Sequence, residues 1–400
     1  MNWMRSASIV GLISLLAMLG LEACGPATST PAQATEIAPQ TTQAATITVP
    51  PVTQTAPAAT QTAPPVTEQP NPYPLSEPGP YQVGMTSFTA EDASRENRPV
   101  SITVWYPALP PEGSTRSGPS QDADPDPSGA PYPLIISSSK FAETFAPYLV
   151  SHGFTWASVD KIDTYFHMYE QMFEQPRDIL FALDQAASNP PKGLEGMIDA
   201  EHTGAIGYSF DGYNTLAMSG ARIDPELYLA QCPTPDETIK PIVESGLSAF
   251  NCYPAEHWDE FIAQAGAEIT TSEDGLWQPI TDERIRAVMP LAGEGWWLFG
   301  ARGLATVDRP VLNLVATEDE LYPENALIFE HLGTADKTFI SFIGKDHMMV
   351  RDPEIIPRMA HFAAAFFGTH LQGRSELAEF YSQDFVAQHA DLAWGVIEGK

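Results

Sequence analysis

Ser209 stands in Gly207-Tyr208-Ser209-Phe210-Asp211-Gly212, between an apolar run at 203–206 and a helix-like run at 213–218. A serine on a sharp turn between strand and helix is a nucleophile elbow. The turn lifts Oγ above the sheet and aims the first helical N–H groups at the place where an oxyanion would form. The chemistry implied is attack on a carbonyl. The pattern departs from Gly-x-Ser-x-Gly at its last position, where Asp211 precedes Gly212.

A serine hydroxyl is a weak nucleophile until a base takes its proton. The base expected is a histidine held by a carboxylate, in chain order Ser, Asp, His. His347 follows the last strand-like run in Gly344-Lys345-Asp346-His347, and Asp319 follows the run before it in Thr317-Glu318-Asp319-Glu320. Asp319 is the chosen acid. Glu294, in Ala292-Gly293-Glu294-Gly295, is the alternative. The oxyanion donors expected are the backbone N–H of Phe210 and one from the loop after the third strand, at Ser139 or Lys140.

Asp211 sits where elbow, helix and strand pack closely and a small residue is usual. Its charge suits a first helical turn but opposes a nearby oxyanion. Three outcomes stand open: it points away, it pairs with Lys140, or it marks a domain without catalysis.

The elements that must position these groups alternate along the chain. Eight strand-like runs are read at 81–89, 100–106, 134–136, 154–159, 203–208, 286–291, 310–316 and 338–343. Helix-like runs lie at 145–151, 175–188, 213–221, 323–332 and 355–371. Alternation of this kind implies an α/β fold, with a mostly parallel eight-stranded sheet covered on both faces. Two insertions interrupt it: a Pro-, Gly- and Asp-rich loop at 109–130, and a cap-like segment at 223–282 that carries Cys232 and Cys252.

Ahead of this domain the chain reads as an export signal. Arg5 and an apolar run at 9–21 lead to Leu21-Glu22-Ala23-Cys24-Gly25, a lipobox-like end. The organisation expected is a signal peptide at 1–23, a lipid-bearing Cys24, a tether at 24–78 and the folded domain at 79–400. A plain signal peptide or membrane anchor is the alternative. The tether is built of Thr, Pro, Ala and Gln with no Lys or Arg, and buries too little to order itself. The net charge of −31 argues against a nucleic-acid partner, since phosphates would be repelled. With Cys24 lipidated, Cys232 and Cys252 either form one disulfide or stay free; export favours the disulfide.

Taken together, these residues resemble the α/β-hydrolase superfamily, within it the dienelactone-hydrolase-like and platelet-activating-factor-acetylhydrolase-like esterases. Besides the serine elbow, the likeness rests on Gly79-Pro80-Tyr81-Gln82-Val83-Gly84 and Ile102-Thr103-Val104-Trp105-Tyr106-Pro107-Ala108. Ser151-His152-Gly153-Phe154 and Ala365-Phe366-Phe367-Gly368 also carry it. The resemblance implies ester hydrolysis through an acyl-enzyme, with no cofactor or metal. In the acetylhydrolase branch the acid follows the sixth strand, which points to Glu294. The chain departs from the family in Ser138-Ser139-Lys140, where a His-Gly or similar Gly-rich pair is usual, and at Asp211.

The expectation is a monomeric, membrane-tethered ester hydrolase acting on a small-molecule ester. Trp296, Trp297, Phe299 and Phe141 could line an apolar acyl pocket, though aromatics after a strand are more often core. An acetylhydrolase-type phospholipid or short-acyl esterase is a second possibility. The rival of a different class is an inactive lipoprotein that binds an apolar ligand or partner.

Overall fold

The computed structural model describes residues 71–110, 118–160, 169–232, 234–246 and 248–400. The signal, Cys24 and the tether as far as residue 70 lie outside the described residues. So do parts of the 109–130 and 223–282 insertions.

Ten strands form one sheet: β1 (Gln82–Asp92), β2 (Arg98–Ala108), β3 (Ser120–Gln121), β4 (Tyr132–Ser138), β5 (Thr155–Val159), β6 (Ile198–Tyr208), β7 (Ile285–Leu291), β8 (Val311–Ala316), β9 (Lys337–Phe342) and β10 (Leu392–Trp394). Their order is β10-β9-β8-β7-β6-β4-β5-β2-β1-β3. From β9 across to β5 all neighbours run parallel, while β2 and β10 pair antiparallel at either side of that block. The expected count of eight is thus corrected to ten. The two additional strands have two and three residues, too short for an alternating pattern to show.

Helices α1 (Ala142–Ser151), α2 (Gln171–Ser188) and α3 (Phe210–Met218) follow β4, β5 and β6. The 223–282 insertion carries α4 (Pro225–Gln231), α5 (Lys240–Glu244), α6 (Tyr253–Glu256), α7 (Trp258–Ala265) and α8 (Ala267–Thr270). Then come α9 (Trp296–Leu304), α10 (Tyr322–His331), α11 (Ile356–Leu371) and α12 (Gln383–Val386). None of the described helices is long and apolar enough to cross a membrane.

Alternate strand residues feed two cores, the period-two pattern of a sheet covered on both faces. Leu134, Ile136, Ala205 and Val288 pack with Phe173, Leu183 and Leu216 of α2 and α3. Ile135, Ile206 and Met289 pack with Phe145 and Leu149 of α1 and Met359 and Phe366 of α11. Between β4 and β6 the chain reverses its direction of growth across the sheet, since β5 lies outside β4 and β7 outside β6. The loops leaving β4 and β6 therefore part at their carboxyl ends, and a crevice opens where open α/β sheets bind ligands.

One boundary differs from expectation. Residues 71–78, read as the end of the tether, pack on the domain. Tyr73 is buried, its hydroxyl accepts from Arg358 Nη2 at 2.8 Å, and the Leu75 N–H donates to His361 Nδ1 at 3.1 Å. Burial drives the His361 pKa down to about 3, so the ring stays a neutral acceptor. Trp296, Trp297 and Phe299 lie buried on α9, in keeping with the core reading, and Phe299 stacks on Tyr213 at 5.0 Å.

Cys232 and Cys252 form a disulfide that closes 20 residues of the insertion. Closing a loop of that length restricts the unfolded chain by about 3 kcal/mol. Replacing both cysteines by alanine is expected to lower the thermal midpoint in oxidising buffer. Reducing agent should shift the parent protein in the same direction and leave the double variant unmoved, as scanning calorimetry can check.

Candidate active site

Strand β6 becomes helix α3 within one residue. Ser209 takes φ 60° and ψ −125°, a left-handed conformation that is rare outside glycine. The turn closes only because its neighbours lack side chains. A Cβ on Gly207 would meet the Asp211 carbonyl oxygen at 2.2 Å, and one on Gly212 the Gly293 Cα at 2.4 Å. The close helix–strand contact thus falls at Gly212, one residue beyond the usual position. That shift is why residue 211 can carry a carboxylate.

The histidine arrives from the far side. Asp346 starts the turn His347–Arg351 by accepting from the Met348 N–H at 2.9 Å. The Tyr208 hydroxyl donates to the His347 carbonyl, and the Tyr208 ring lies 4.9 Å from the imidazole. His347 Nε2 is then 3.1 Å from Ser209 Oγ and Nδ1 is 2.9 Å from Asp319 Oδ2. A carboxylate accepts only, so Nδ1 holds the proton and Nε2 is free to accept from the serine hydroxyl. Asp319 is anchored separately, its Oδ1 accepting from the Leu321 N–H at 2.8 Å. All three side chains are nearly buried.

Glu294, the alternative acid, is engaged elsewhere. Its Oε2 accepts from the Ala249 N–H of the insertion at 2.7 Å, and its Oε1 is buried with no hydrogen-bond partner among the described residues. Burial pushes its pKa up to about 7, against the pull of the Lys140 and His347 charges. Glu324 of α10 lies within electrostatic reach. It caps α9 by accepting from the Gly295 and Trp296 N–H groups at 2.7 and 2.9 Å. Burial, then the Glu294 charge, raises its pKa well above the carboxylate range.

The expected oxyanion donors divide. Phe210 is the first residue of α3, so its N–H is one that the helix leaves unused. The Ser139 N–H is spent on the Val159 carbonyl at 2.8 Å, continuing the β4–β5 ladder, which removes Ser139 as a candidate. The Lys140 N–H donates to Ser138 Oγ at 3.1 Å, on the loop that faces Ser209 across the crevice. The Lys140 ammonium sits 4.9 Å over the Tyr208 ring, and burial lowers its pKa to about 8. Phe141, at φ 64°, swings its ring edge-on to Tyr208 at 5.1 Å.

Sequence reasoning missed Ser138, which binds Asp211, and Arg351, whose guanidinium lies 6.0 Å over the Phe141 ring. No short motif marks either one. Ser138 sits in a run of three serines, and Arg351 stands in no patterned spacing with the other site residues. A cavity of about 600 Å³ between Tyr81, Pro147 and Tyr148 shares no residue with the triad. Another, of about 640 Å³, borders the 139–141 turn through Ser139 and Phe141 and reaches Trp105 and Thr144. No protein-family model matches this chain, and no curated protein matches it.

Two outcomes are expected. Gly212→Ala should destabilise the fold by about 1–3 kcal/mol, because backbone rather than a yielding side chain blocks the new methyl; urea unfolding measures it. Glu294 holds a proton in the folded state that an unfolded carboxyl of pKa 4.5 has released. Stability should therefore fall as pH rises from about 4.5 to about 7. Glu294→Gln should flatten that slope, leaving the part due to Glu324, as unfolding midpoints at pH 5 and pH 8 would report.

Proposed function

We infer that this protein is a serine hydrolase of the α/β-hydrolase fold that cleaves carboxylic esters through an acyl-enzyme. One observation carries the reading: a single imidazole bridges Ser209 Oγ at 3.1 Å and the Asp319 carboxylate at 2.9 Å. Ser209 attacks the ester carbonyl while His347 takes its proton. His347 then returns the proton to the leaving alcohol, and in the second half-reaction activates water to free the acid. Asp319 holds the tautomer and offsets the imidazolium charge. The Phe210 N–H faces the developing oxyanion, and the Lys140 N–H, held on Ser138 Oγ at 3.1 Å, is the second donor, sharing its hydrogen between the two acceptors.

The reading extends to an exported, lipid-anchored protein, with Cys24 as the anchor, that meets its substrate at the outer face of a bacterial membrane. A short-acyl or phospholipid ester of the acetylhydrolase type is the narrower form of the same proposal. One observation favours the non-catalytic alternative: both backbone donors expected beyond β4 are already bonded within the protein.

Treatment of the soluble domain with a fluorophosphonate should add one adduct by intact mass, absent in Ser209→Ala. Asp319→Asn should lose on the order of 10³–10⁴ in kcat through the wrong imidazole tautomer, while Glu294→Gln stays within about tenfold. The reverse ranking would hand the acid role to Glu294. A folded parent protein that takes no adduct would favour the binding role.

A further inference from the structure

Asp211 replaces the small residue of the elbow and is fully buried beside Ser209. A carboxylate in such a place is costly unless both oxygens are bonded. Both are. Oδ1 accepts from Asn214 Nδ2 at 2.9 Å, and Oδ2 accepts the hydroxyl proton of Ser138. Asn214 is itself tied to Gln175 Oε1 of α2 at 3.0 Å. Ser138 is the last residue of β4, and its Oγ accepts in turn from the Lys140 N–H at 3.1 Å. A continuous chain of hydrogen bonds thus runs from α2, through the first turn of the nucleophile helix, to the backbone of the loop across the crevice.

Building on the esterase reading, we propose that Asp211 is a positioning residue: through the Ser138 hydroxyl it clamps the 139–141 turn to the nucleophile helix and sets the direction of the Lys140 N–H. The physical case has three parts. An oxyanion hole accelerates only as far as its donors are held in place beforehand, and this loop lacks the usual Gly-rich pair. The Asp211–Ser138 link joins two buried polar groups, so breaking it leaves both without a partner and costs more than losing an exposed bond. Burial raises the Asp211 pKa against the pull of the Ser138 hydroxyl, the Lys140 ammonium and Asn214, so little charge faces the oxyanion. Gly212 has taken over the close packing that would otherwise exclude a side chain at 211.

The test compares Ser138→Ala, Asp211→Ala, the double variant and Ser138→Thr, which keeps the hydroxyl. Turnover of p-nitrophenyl butyrate is read beside hydrogen exchange of the 138–141 backbone. Each single variant should lose about 10- to 100-fold in kcat with KM within about twofold, and the double should lose no more than the worse single. Ser138→Thr should recover most of the rate. Exchange at 138–141 should quicken in both alanine variants. Losses that multiply in the double, a loss carried by KM, or unchanged exchange would each overturn the clamp. Where Asp211→Ala fails to fold, Ser138→Ala and Ser138→Thr carry the comparison. If the parent protein has no esterase activity, the functional reading fails by itself, and exchange alone still decides whether Asp211 holds the loop.

Discussion

The one-residue passage from β6 into α3 is the constraint on which the rest depends. It forces Ser209 into a left-handed backbone that costs of order 1–3 kcal/mol, so the surrounding packing has to hold it there. Gly207 and Gly212 remove the side chains that would pry the turn open, and Gly293, at the end of β7, lies flush against Gly212. The same packing leaves the N-terminus of α3 facing the crevice between β4 and β6. The position of the Ser209 hydroxyl, the direction of the α3 N-terminus and the crevice are consequences of one backbone event.

Around that event the protein buries several carboxyl groups and gives each a different set of partners. Asp319 has one oxygen on backbone and one on the imidazole, the division that lets a carboxylate orient a ring. Glu294 is tied to the insertion at Ala249, and Glu324 to the start of α9. Asp211 is tied to Ser138 and Asn214. With like charges so near, burial pushes the pKa values of Glu294 and Glu324 upward, and protonation rather than ion pairing limits the repulsion. Of these carboxyl groups, Asp319 is the one bonded to His347.

Much of the fold was legible because its strands are long enough to alternate and its helices long enough to show a face. The eight runs read from the chain correspond to β1, β2 and β4 to β9, and the helix runs to α1, α2, α3, α10 and α11. What escaped was short or ambiguous. β3 and β10 exist through pairing with neighbours distant in sequence. Trp296-Trp297-Leu298-Phe299 is apolar all round, which suits a pocket wall as well as a buried helix, and burial decides for the helix. Residues 71–78 look like tether by composition, yet Tyr73 finds a partner in Arg358, 285 residues away in the chain.

Local covalent order determined the elbow, the order of serine, acid and histidine, and the alternation that makes a covered parallel sheet, because each depends on spacing of a few residues. The tertiary structure put Asp319 rather than Glu294 against His347, spent the Ser139 N–H on β5, joined Cys232 to Cys252, and turned Asp211 from an anomaly into a link with Ser138. Those outcomes rest on distances between segments far apart in the chain, and such distances are set only when the sheet closes and its two faces are packed.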